Sequence, residues 1–428
     1  MIDLSELGRF LGPIWVEVDL DAIAHNLRMT RRLLSPATTL IAVVKADAYG
    51  YGAVEVARVA LANGASMLAV STVDEGLELR QAGILAPILI FTPALPEQAP
   101  DVIKYDLVQT VCDLKLAQAL AQVARSAERA RKPPKVHAKV DTGMGRIGIR
   151  PEETVPFIRR LSEMGLAVEG VYTHFAAAHS HNSRYTRAQF EQFLTVSREI
   201  RAAQLRVPML HAANSAALVD FPETHLDAVR PGNLLYGQYP SASARRRFAL
   251  KEAWTFKARV IQVKEVPAGT RIGYGATFVT HRPTTVATLP IGYADGFNLE
   301  PVHGPIRPGD LPELLRKGLK TVAATLHLPL DHGSIFVKGV KAELVGKVSM
   351  GLATIDVTAV KKAKPGKEVA IGDEVELLVR QPVVNRWIPR LYLKDGRPWR
   401  IRHKNIIHQI GGFARHADSI SSIYFTQR

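Results

Sequence analysis

The sequence predicts an α/β chain in which an N-terminal (β/α)8 barrel of the TIM type is followed by a mostly β C-terminal domain. From Ile14 to about Tyr236, short apolar runs alternate with helical segments. Eight strands with helices between them over about 230 residues are what such a barrel requires. From this pattern alone, a doubly wound sheet remains the alternative. After Tyr236, short β-branched runs recur between Gly and Pro residues, which indicates a separate β domain.

The strand candidates before residue 236 are short, apolar and rich in β-branched residues. They cover residues 14–18, 40–44, 67–70, 88–91, 107–111, 135–140, 167–173 and 209–212. The helical candidates between them cover residues 20–34, 53–62, 73–81, 114–130, 152–164 and 184–204. We therefore assign residues 12–245 to the barrel.

The β-branched runs of the second part cover residues 256–265, 285–290, 334–337, 342–345, 353–357 and 374–379. We assign residues 246–428 to the β-rich domain, to which residues 1–11 can also attach. Prolines crowd the stretch 299–332 and interrupt the β pattern. We interpret this stretch as an insertion.

Composition excludes several classes of protein. The chain has 428 residues, of which 47% are hydrophobic, and no run approaches the ~18 consecutive apolar residues of a membrane-spanning helix. The first residues lack a basic segment followed by a long apolar one, so we expect a cytoplasmic protein without a secretory signal. The single cysteine, Cys112, can form neither an internal disulfide nor a metal cluster, and no metal site is expected.

The net charge of +15 would permit binding to nucleic acid or to an acidic surface. However, no nucleic-acid motif accompanies the charge, and the basic residues are spread along the chain with an excess after Arg380. Charge alone sets non-specific affinity rather than function. We therefore expect a solvated basic surface, with neither nucleic acid nor a membrane as a partner.

A lysine stands directly after the strand candidate 40–44. Lys45 is followed by Ala-Asp-Ala-Tyr-Gly, and in a β/α chain the C-terminal ends of the strands surround the active site. A partly desolvated lysine has a lowered pKa, which suits Schiff-base chemistry with an aldehyde such as pyridoxal phosphate. A lone lysine at a strand end more often extends its amine into solvent. The neighbouring loops must therefore distinguish between this role and Schiff-base chemistry.

The loop that begins at Lys139 runs Lys-Val-Asp-Thr-Gly-Met-Gly-Arg-Ile-Gly and contains Arg146. Glycines permit a ligand to approach the backbone closely, and the planar donors of an arginine suit an anionic oxygen. The same composition also occurs in ordinary βα turns.

Further loops follow other strand candidates. One carries His174, and another places Asn214 and Ser215 at a probable helix N-terminus, where free N–H groups suit a phosphate. A third carries Arg230 and Gly232. Ser215 by itself would more simply be an N-cap. Because all these loops leave strand ends of one barrel, we expect them to converge.

Residues 42–52, Ala-Val-Val-Lys-Ala-Asp-Ala-Tyr-Gly-Tyr-Gly, closely resemble the pyridoxal-phosphate lysine motif of the alanine racemases, enzymes of fold type III. The usual motif has Asn or Asp at position 47 and His at position 51, where this chain has Tyr. Matching motifs follow in order over most of residues 12–378. The resemblance implies a pyridoxal-phosphate-dependent isomerase that interconverts L-alanine and D-alanine and supplies D-alanine for peptidoglycan.

The resemblance also implies residue roles in the barrel. Lys45 would hold the cofactor as an aldimine, and Arg146 would contact the phenolic oxygen of the cofactor and the substrate carboxylate. Lys139 matches a lysine that can be carbamylated and would orient Arg146. Arg230 would face the pyridine nitrogen and keep it unprotonated, which weakens the electron sink. The remaining cofactor-binding residues would be Tyr49, His174, Asn214, Ser215 and Gly232.

A second catalytic motif is matched by residues 271–278, Arg-Ile-Gly-Tyr-Gly-Ala-Thr-Phe. Racemisation requires that a proton leave one face of Cα and arrive at the other. The resemblance implies that Lys45 serves one face and Tyr274 the other, with the pKa of Tyr274 lowered by a positive chain through His174 to Arg230.

Substrate-binding residues and a quaternary structure are implied in the same way. Tyr293 and Met350 match residues near the substrate entrance and the substrate carboxylate. In this family the β domain of one subunit covers the barrel mouth of the other, so a homodimer with shared active sites is implied.

The chain departs from the family pattern in several places. Gly351 stands where the family has an aspartate, and the stretch 299–332 is longer than the usual connection. The late Tyr-Glu motif, whose tyrosine contacts the cofactor phosphate, is not recognisable between residues 374 and 390. Tyr392 and Tyr424 are candidate substitutes, and the basic tail to residue 428 resembles nothing known to us.

These departures leave alternatives open. The nearest is a racemase of broader amino-acid specificity, which racemisation rates across amino acids would distinguish. A weakened homologue that binds pyridoxal phosphate without turnover is another, and a fold-related decarboxylase fits the pairing of Lys45 with Tyr274 less well.

Overall fold

The computed structural model describes residues 6–126, 132–179, 183–247, 249–297, 334–378, 385–403 and 406–410. The chain divides into two compact units, Met1–Val18 with Trp254–Arg428, and Asp19–Ala253. The predicted insertion at 299–332 and Tyr424 lie outside the described residues. No helix in the described ranges is long and apolar enough to cross a membrane.

The unit Asp19–Ala253 contains a closed parallel barrel of eight strands. The strands are β2 (Thr39–Val43), β3 (Met67–Val70), β4 (Ile88–Ile90), β5 (Val108–Val111), β6 (Lys135–Lys139), β7 (Ala167–Tyr172), β8 (Met209–Asn214) and β9 (Ala228–Arg230). The barrel closes where Thr39 and Leu40 pair with Ala228 and Val229. The predicted (β/α)8 barrel is therefore confirmed, and the doubly wound sheet is excluded.

Helices alternate with these strands along the chain. They are Leu20–Arg31, Ala53–Ala62, Val73–Gln81, Ala99–Lys104, Leu114–Ser126, Thr154–Glu163, Ser183–Ala202, Ser215–Asp220 and Ala242–Arg247, with short 3-10 turns at Pro96–Gln98, Pro151–Glu153, Pro222–Thr224 and Asn233–Tyr236. Local signals set their limits. Helix Val73–Gln81, for example, begins with a capping box between Thr72 and Glu75.

Two kinds of residue fill the barrel. On one side, apolar side chains such as Ile41, Leu89 and Val108 form a buried cluster. On the other, β6 and β8 contribute His137 and His211, both fully buried. Since buried polar groups require hydrogen-bond partners, these two histidines must form hydrogen bonds with other buried groups.

The other unit is mostly β, as predicted. Its main sheet has the strand order β11-β14-β17-β16-β15-β18-β10-β1-β19-β20-β21 among the described residues. The strands are β1 (Ile14–Asp19), β10 (Trp254–Arg259), β11 (Gln262–Val266), β14 (Thr284–Leu289), β15 (Ser334–Val337), β16 (Val340–Leu344), β17 (Ala353–Asp356), β18 (Glu374–Leu378), β19 (Arg390–Lys394), β20 (Arg397–His403) and β21 (Ile406–Gln409). A small ribbon pairs β12 (Arg271–Ile272) with β13 (Phe278–Val279). The short helices of this unit are Leu7–Leu11 and Thr358–Ala363, and 3-10 turns lie at Tyr274–Ala276 and Tyr293–Asp295.

The assignment of one predicted strand to the barrel was wrong. Strand β1, predicted at 14–18 as the first barrel strand, pairs antiparallel with β10 in the β-rich unit. The eighth barrel strand is β9, which the sequence reading missed because only three residues precede Pro231 and no alternation can be read from them.

Strands β19 to β21 form an extension beside β1. Leu391, Ile401 and Ile410 from the extension form a buried cluster with Leu11 and Trp15. The next residue of β19, Tyr392, is also buried. The extension therefore supplies a core for the N-terminal segment of the same unit.

Candidate active site

A cavity of about 680 Å³ lies in the barrel unit. Every residue that the sequence assigned to a site in the barrel lines it, namely Lys45, Tyr49, Lys139, Arg146, His174, Asn214, Ser215, Arg230 and Gly232. They lie at or after the C-terminal ends of β2, β6, β7, β8 and β9. The predicted convergence of the loops is therefore observed.

Lys45 begins a left-handed turn. Ala46, Asp47, Ala48 and Tyr49 have φ angles of 52°, 55°, 53° and 57°. Each non-glycine residue in this conformation costs about 1–2 kcal/mol, so the surrounding structure must hold the turn. The Asp47 carboxylate accepts the Ala53 N–H at 2.9 Å and helps to do so.

Glu75 holds the same turn from helix Val73–Gln81. Its Oε1 accepts the Ala46 N–H at 2.7 Å, and its Oε2 accepts the Ser71 N–H at 2.6 Å. Burial lowers the pKa of the Lys45 amine and Arg146 lowers it further, whereas the Glu75 charge opposes them. More of the neutral amine is therefore present near pH 7 than on an exposed lysine.

The cavity is strongly cationic. Lys45, Lys139, Arg146 and Arg230 line it, and its lining includes no Asp or Glu among the described residues. Burial, followed by these four cations, lowers the pKa of His174 well below its usual value. The imidazole is therefore neutral at pH 7, and the positive charge beside it resides on Arg230, Lys139, Arg146 and Lys45. A cavity with this charge suits a ligand with more than one anionic group.

The loop that carries Arg146 is organised by Asp141. The Asp141 Oδ1 accepts the N–H groups of Gly143, Met144 and Gly145 at 2.9, 2.8 and 3.1 Å. Partial burial would raise the pKa of this carboxyl, but these amides and that of Arg146 lower it. The ionised carboxylate therefore fixes the loop that presents the arginine.

Lys139 is buried at the end of β6, with Nζ 5.7 Å from the centre of the Tyr172 ring. Burial, with Arg146 and Arg230 adding to it, lowers the pKa of Lys139 to about 8. A substantial fraction of its amine is therefore unprotonated under mildly alkaline conditions.

Arg230, at the end of β9, is held on several sides. Its Nη1 lies 2.6 Å from Nδ1 of His211, and its Nη2 donates to the carbonyl oxygens of Thr173 and Ala212 at 2.7 and 2.9 Å. Burial lowers the pKa of Arg230 to about 10, so the guanidinium stays charged at pH 7.

A small cradle lies between Tyr49, Ser215 and Gly232. The Gly232 N–H donates to Ser215 Oγ at 2.8 Å, and a Cβ at Gly232 would lie 2.5 Å from the Tyr49 hydroxyl. Asn214, not Ser215, is the N-cap of the following helix, since its side chain accepts the N–H groups of Ala216 and Ala217. Hydroxyl and backbone donors in a cationic cavity fit a phosphate monoester such as that of pyridoxal phosphate.

The loops that carry the predicted site residues of the β-rich unit pack against one another. Gly273, before Tyr274, packs so closely on the next loop that a Cβ there would lie 3.0 Å from the Lys347 nitrogen. The Tyr293 N–H donates to the Ser349 carbonyl at 3.1 Å, next to Met350. The side chains of Tyr274, Tyr293 and Met350 are 74%, 44% and 62% exposed. Gly351 is also exposed, and a Cβ there would meet nothing within 4 Å.

Sequence reasoning missed several residues that hold the site. Glu75, Asp141, His137 and His211 were not singled out. The Thr72-Val-Asp-Glu75 capping-box pattern and the Asp141-Thr-Gly pattern were available signals for the first two. For the two histidines no local signal exists, because their pairing joins strands that are distant in sequence.

Two family models match the chain. The model for the alanine racemase N-terminal domain matches residues 18–240, and that for the C-terminal domain matches residues 253–308 and 318–387. Strands β19, β20 and β21 lie beyond the matched residues.

Curated relatives and solved structures agree with these models. The alanine racemase of Desulfosudis oleivorans is 44% identical over 378 residues, covering 86% of this chain and 87% of its own length. That of Methanococcus maripaludis is 40% identical over 362 residues, covering 84% and 88%. Among solved structures, alanine racemase from Clostridium difficile 630 is 31% identical with a TM-score of 0.78, covering 92% of this chain and 98% of that one. The Bacillus anthracis enzyme with bound L-Ala-P is 30% identical with a TM-score of 0.74, covering 91% and 97%.

Proposed function

The chain belongs to the alanine racemase family, and we propose that Lys45 and Tyr274 are the two bases of its reaction. It is a pyridoxal-phosphate-dependent isomerase that interconverts L-alanine and D-alanine. The observation that carries the assignments in the barrel is the cationic cavity, in which Lys45 stands at the C-terminal face of the barrel together with Lys139, Arg146 and Arg230. The product D-alanine would serve peptidoglycan synthesis in the cytoplasm.

The chain's own residues fit the cofactor. Tyr49, Ser215 and Gly232 would bind the phosphate, and Lys45 would bind the aldehyde carbon covalently. Arg230 would donate a hydrogen bond to the ring nitrogen because its guanidinium is charged and fully buried. Asn214 would hold the phosphate loop through its N-cap, and His174 would flank the ring as a neutral imidazole.

Proton exchange requires one group on each face of Cα. When bound, the cofactor withdraws electrons from Cα and makes its hydrogen acidic. The Lys45 amine, freed when the substrate's amino group replaces it at the aldehyde carbon, would take or return this proton on one face, which its lowered pKa favours. The Tyr274 hydroxyl does the same on the other face. Arg146, with Lys139 beside it, binds the substrate carboxylate, and Tyr293 and Met350 shape the substrate entrance.

We assign Tyr274 to the partner subunit of a homodimer. The β-rich unit exposes Tyr274, Tyr293, Met350 and Leu352, and exposed aromatic and methionine side chains in one neighbourhood are typical of protein interfaces. A homodimer that covers these side chains would deliver the tyrosine to the barrel of the other subunit, as the family pattern implies.

Mixing two inactive variants tests this assignment. Lys45→Ala and Tyr274→Phe homodimers should each be nearly inactive, since each lacks one base. After subunit exchange, about half the dimers are mixed and each has one intact site, so about a quarter of the wild-type site number should return. Exchange confirmed by mass labelling without recovered activity would show that both bases come from one chain or that no such dimer forms.

A further inference from the structure

A buried pair of histidines lies behind Arg230, and the proposed reaction does not use it directly. His137 in β6 and His211 in β8 approach each other with 2.9 Å between Nδ1 of His137 and Nε2 of His211. The other ring nitrogen of His211, Nδ1, lies 2.6 Å from Arg230 Nη1. The three side chains are 1%, 0% and 3% exposed. They therefore form a dry hydrogen-bonded chain that ends at the arginine.

The chemistry of the arginine fixes the direction of every hydrogen bond in this chain. A guanidinium can only donate, so His211 Nδ1 must be the acceptor and carry no hydrogen. Burial keeps both rings neutral, since it lowers the pKa of His137 to about 3 and that of His211 well below its usual value. The single ring hydrogen of His211 is therefore on Nε2. It donates to Nδ1 of His137, whose own hydrogen must be on Nε2.

Packing fixes the orientation of both rings. A Cβ on Gly170 would lie 2.6 Å from Nδ1 and Cε1 of His137, so the strand β7 leaves just enough room for that ring. The Tyr172 ring stacks on the His211 ring with centroids 4.8 Å apart and planes at 10°. The Tyr172 hydroxyl is itself paired with Thr110 at 2.9 Å. His137 cannot turn without displacing β7, and His211 cannot turn without displacing the Tyr172 ring.

We propose that His137 is a positioning residue for Arg230. By accepting the Nε2 hydrogen of His211, it keeps the His211 Nδ1 lone pair directed at the guanidinium. Without that acceptor, the buried Nε2–H donor is unpaired, so the tautomer with its hydrogen on Nε2 loses part of its energetic preference over the tautomer with its hydrogen on Nδ1. In the second tautomer the Nδ1 hydrogen would face the guanidinium N–H and displace it. The inference rests on the proposed function, because Arg230 matters to catalysis through the ring nitrogen it contacts.

Two variants separate the hydrogen bond from the space that His137 fills. His137→Asn keeps an acceptor oxygen near the position of Nδ1, whereas His137→Leu removes the acceptor and keeps the site filled. We expect His137→Leu to lower kcat by about tenfold or more at nearly constant KM, the size expected when one buried donor is left unpaired. His137→Asn should restore most of this loss. Rates are expressed per bound cofactor, so that a smaller fraction of folded protein does not lower the measured kcat.

A spectroscopic measurement on cofactor-free protein tests the same inference without turnover. Long-range ¹⁵N–¹H spectra of histidine-labelled protein, assigned with His211→Gln, report which ring nitrogen carries the hydrogen. Wild-type and His137→Asn proteins should show His211 protonated on Nε2, and His137→Leu should shift it toward Nδ1. A merely structural role would lower the stability of both variants and leave the tautomer unchanged.

Three results would overturn the inference. They are His211 protonated on Nδ1 in the wild type, an unchanged tautomer in His137→Leu, or a kcat for that variant within about twofold of wild type. If a variant does not fold, a wild-type spectrum with His211 protonated on Nδ1 would still overturn the inference. An inactive wild-type enzyme would instead contradict the proposed function, while the spectrum would still test the chain of hydrogen bonds.

Discussion

The Glu75 carboxylate accepts the backbone N–H of Ala46 at 2.7 Å, which ties the residue after Lys45 to the first turn of helix Val73–Gln81. The same carboxylate accepts the N–H groups of Ser71 and Thr72 at 2.6 and 3.3 Å. One side chain therefore joins the loops after β2 and β3.

Glu75→Ala should destabilise the protein and impair the Lys45 turn. The variant removes the acceptor of these backbone donors, and the free energy of unfolding should fall by about 1–3 kcal/mol in denaturant titrations. It also removes the charge that opposes the lowered pKa of Lys45.

Glu75→Gln is the comparison variant, since it removes the charge but keeps one of the two acceptor oxygens. It should retain more stability than Glu75→Ala, while cofactor attachment, followed by absorbance, begins at lower pH because the Lys45 pKa falls. Equal stability of Glu75→Ala and wild type would contradict the anchoring role.

Gly232→Ala should weaken cofactor binding. The added Cβ would lie 2.5 Å from the Tyr49 hydroxyl and 3.2 Å from its Cζ, so the cradle must open. We expect the affinity of cofactor-free protein for pyridoxal phosphate to fall by about tenfold, as when one charge-assisted hydrogen bond is lost. Gly351→Ala, where a Cβ meets nothing within 4 Å, should bind normally. Unchanged affinity of Gly232→Ala would show that the phosphate lies elsewhere.

Lys139 should be carbamylated in bicarbonate buffer. Its pKa of about 8 lies below the ordinary lysine value, so the neutral amine that reacts with carbon dioxide appears as the pH rises through about 8. Under ¹³C-bicarbonate, a carbamate signal should grow between about pH 7 and pH 9 and vanish in Lys139→Gln. Lys135→Gln, in the same strand, should keep the signal. A signal retained in Lys139→Gln would place the carbamate on another lysine.

The extension should contribute to the stability of the β-rich unit. Ile401 is fully buried in its core, so Ile401→Ala should lower the free energy of unfolding by about 2–5 kcal/mol. Ile406 is 50% exposed in the neighbouring strand, and Ile406→Ala should stay within about 0.5 kcal/mol of wild type. Equal losses for the two variants in thermal or denaturant unfolding would contradict the observed packing of β19 to β21.

The barrel and its cavity could be predicted because each signal was local. A β-branched run ends at Lys45, a glycine-rich loop presents Arg146, and the order of strands and helices leaves few closed arrangements. Site residues that lie in the loop directly after a strand could therefore be identified from the sequence.

The remaining features depend on partners that are distant along the chain. Strand β1 reads like any apolar strand, and only its pairing with β10 places it in the β-rich sheet. The turn after Lys45 contains alanines that would ordinarily favour a right-handed helix, and its left-handed form depends on Glu75 and Asp47. The extension was not predicted either, since its core is completed by Leu11 and Trp15 from the other end of the sequence.

The turn from Ala46 to Tyr49 has the handedness that D-amino acids prefer. A D-alanine introduced at position 46 or 48 by chemical ligation should therefore fit the native backbone without strain. In a protein made only of L-amino acids, in contrast, these positions are limited to residues that tolerate a positive φ. Valine, isoleucine and threonine are the least suited. The positions that follow Lys45 thus constrain sequence variation through the chirality of the backbone, independently of any contact with a ligand.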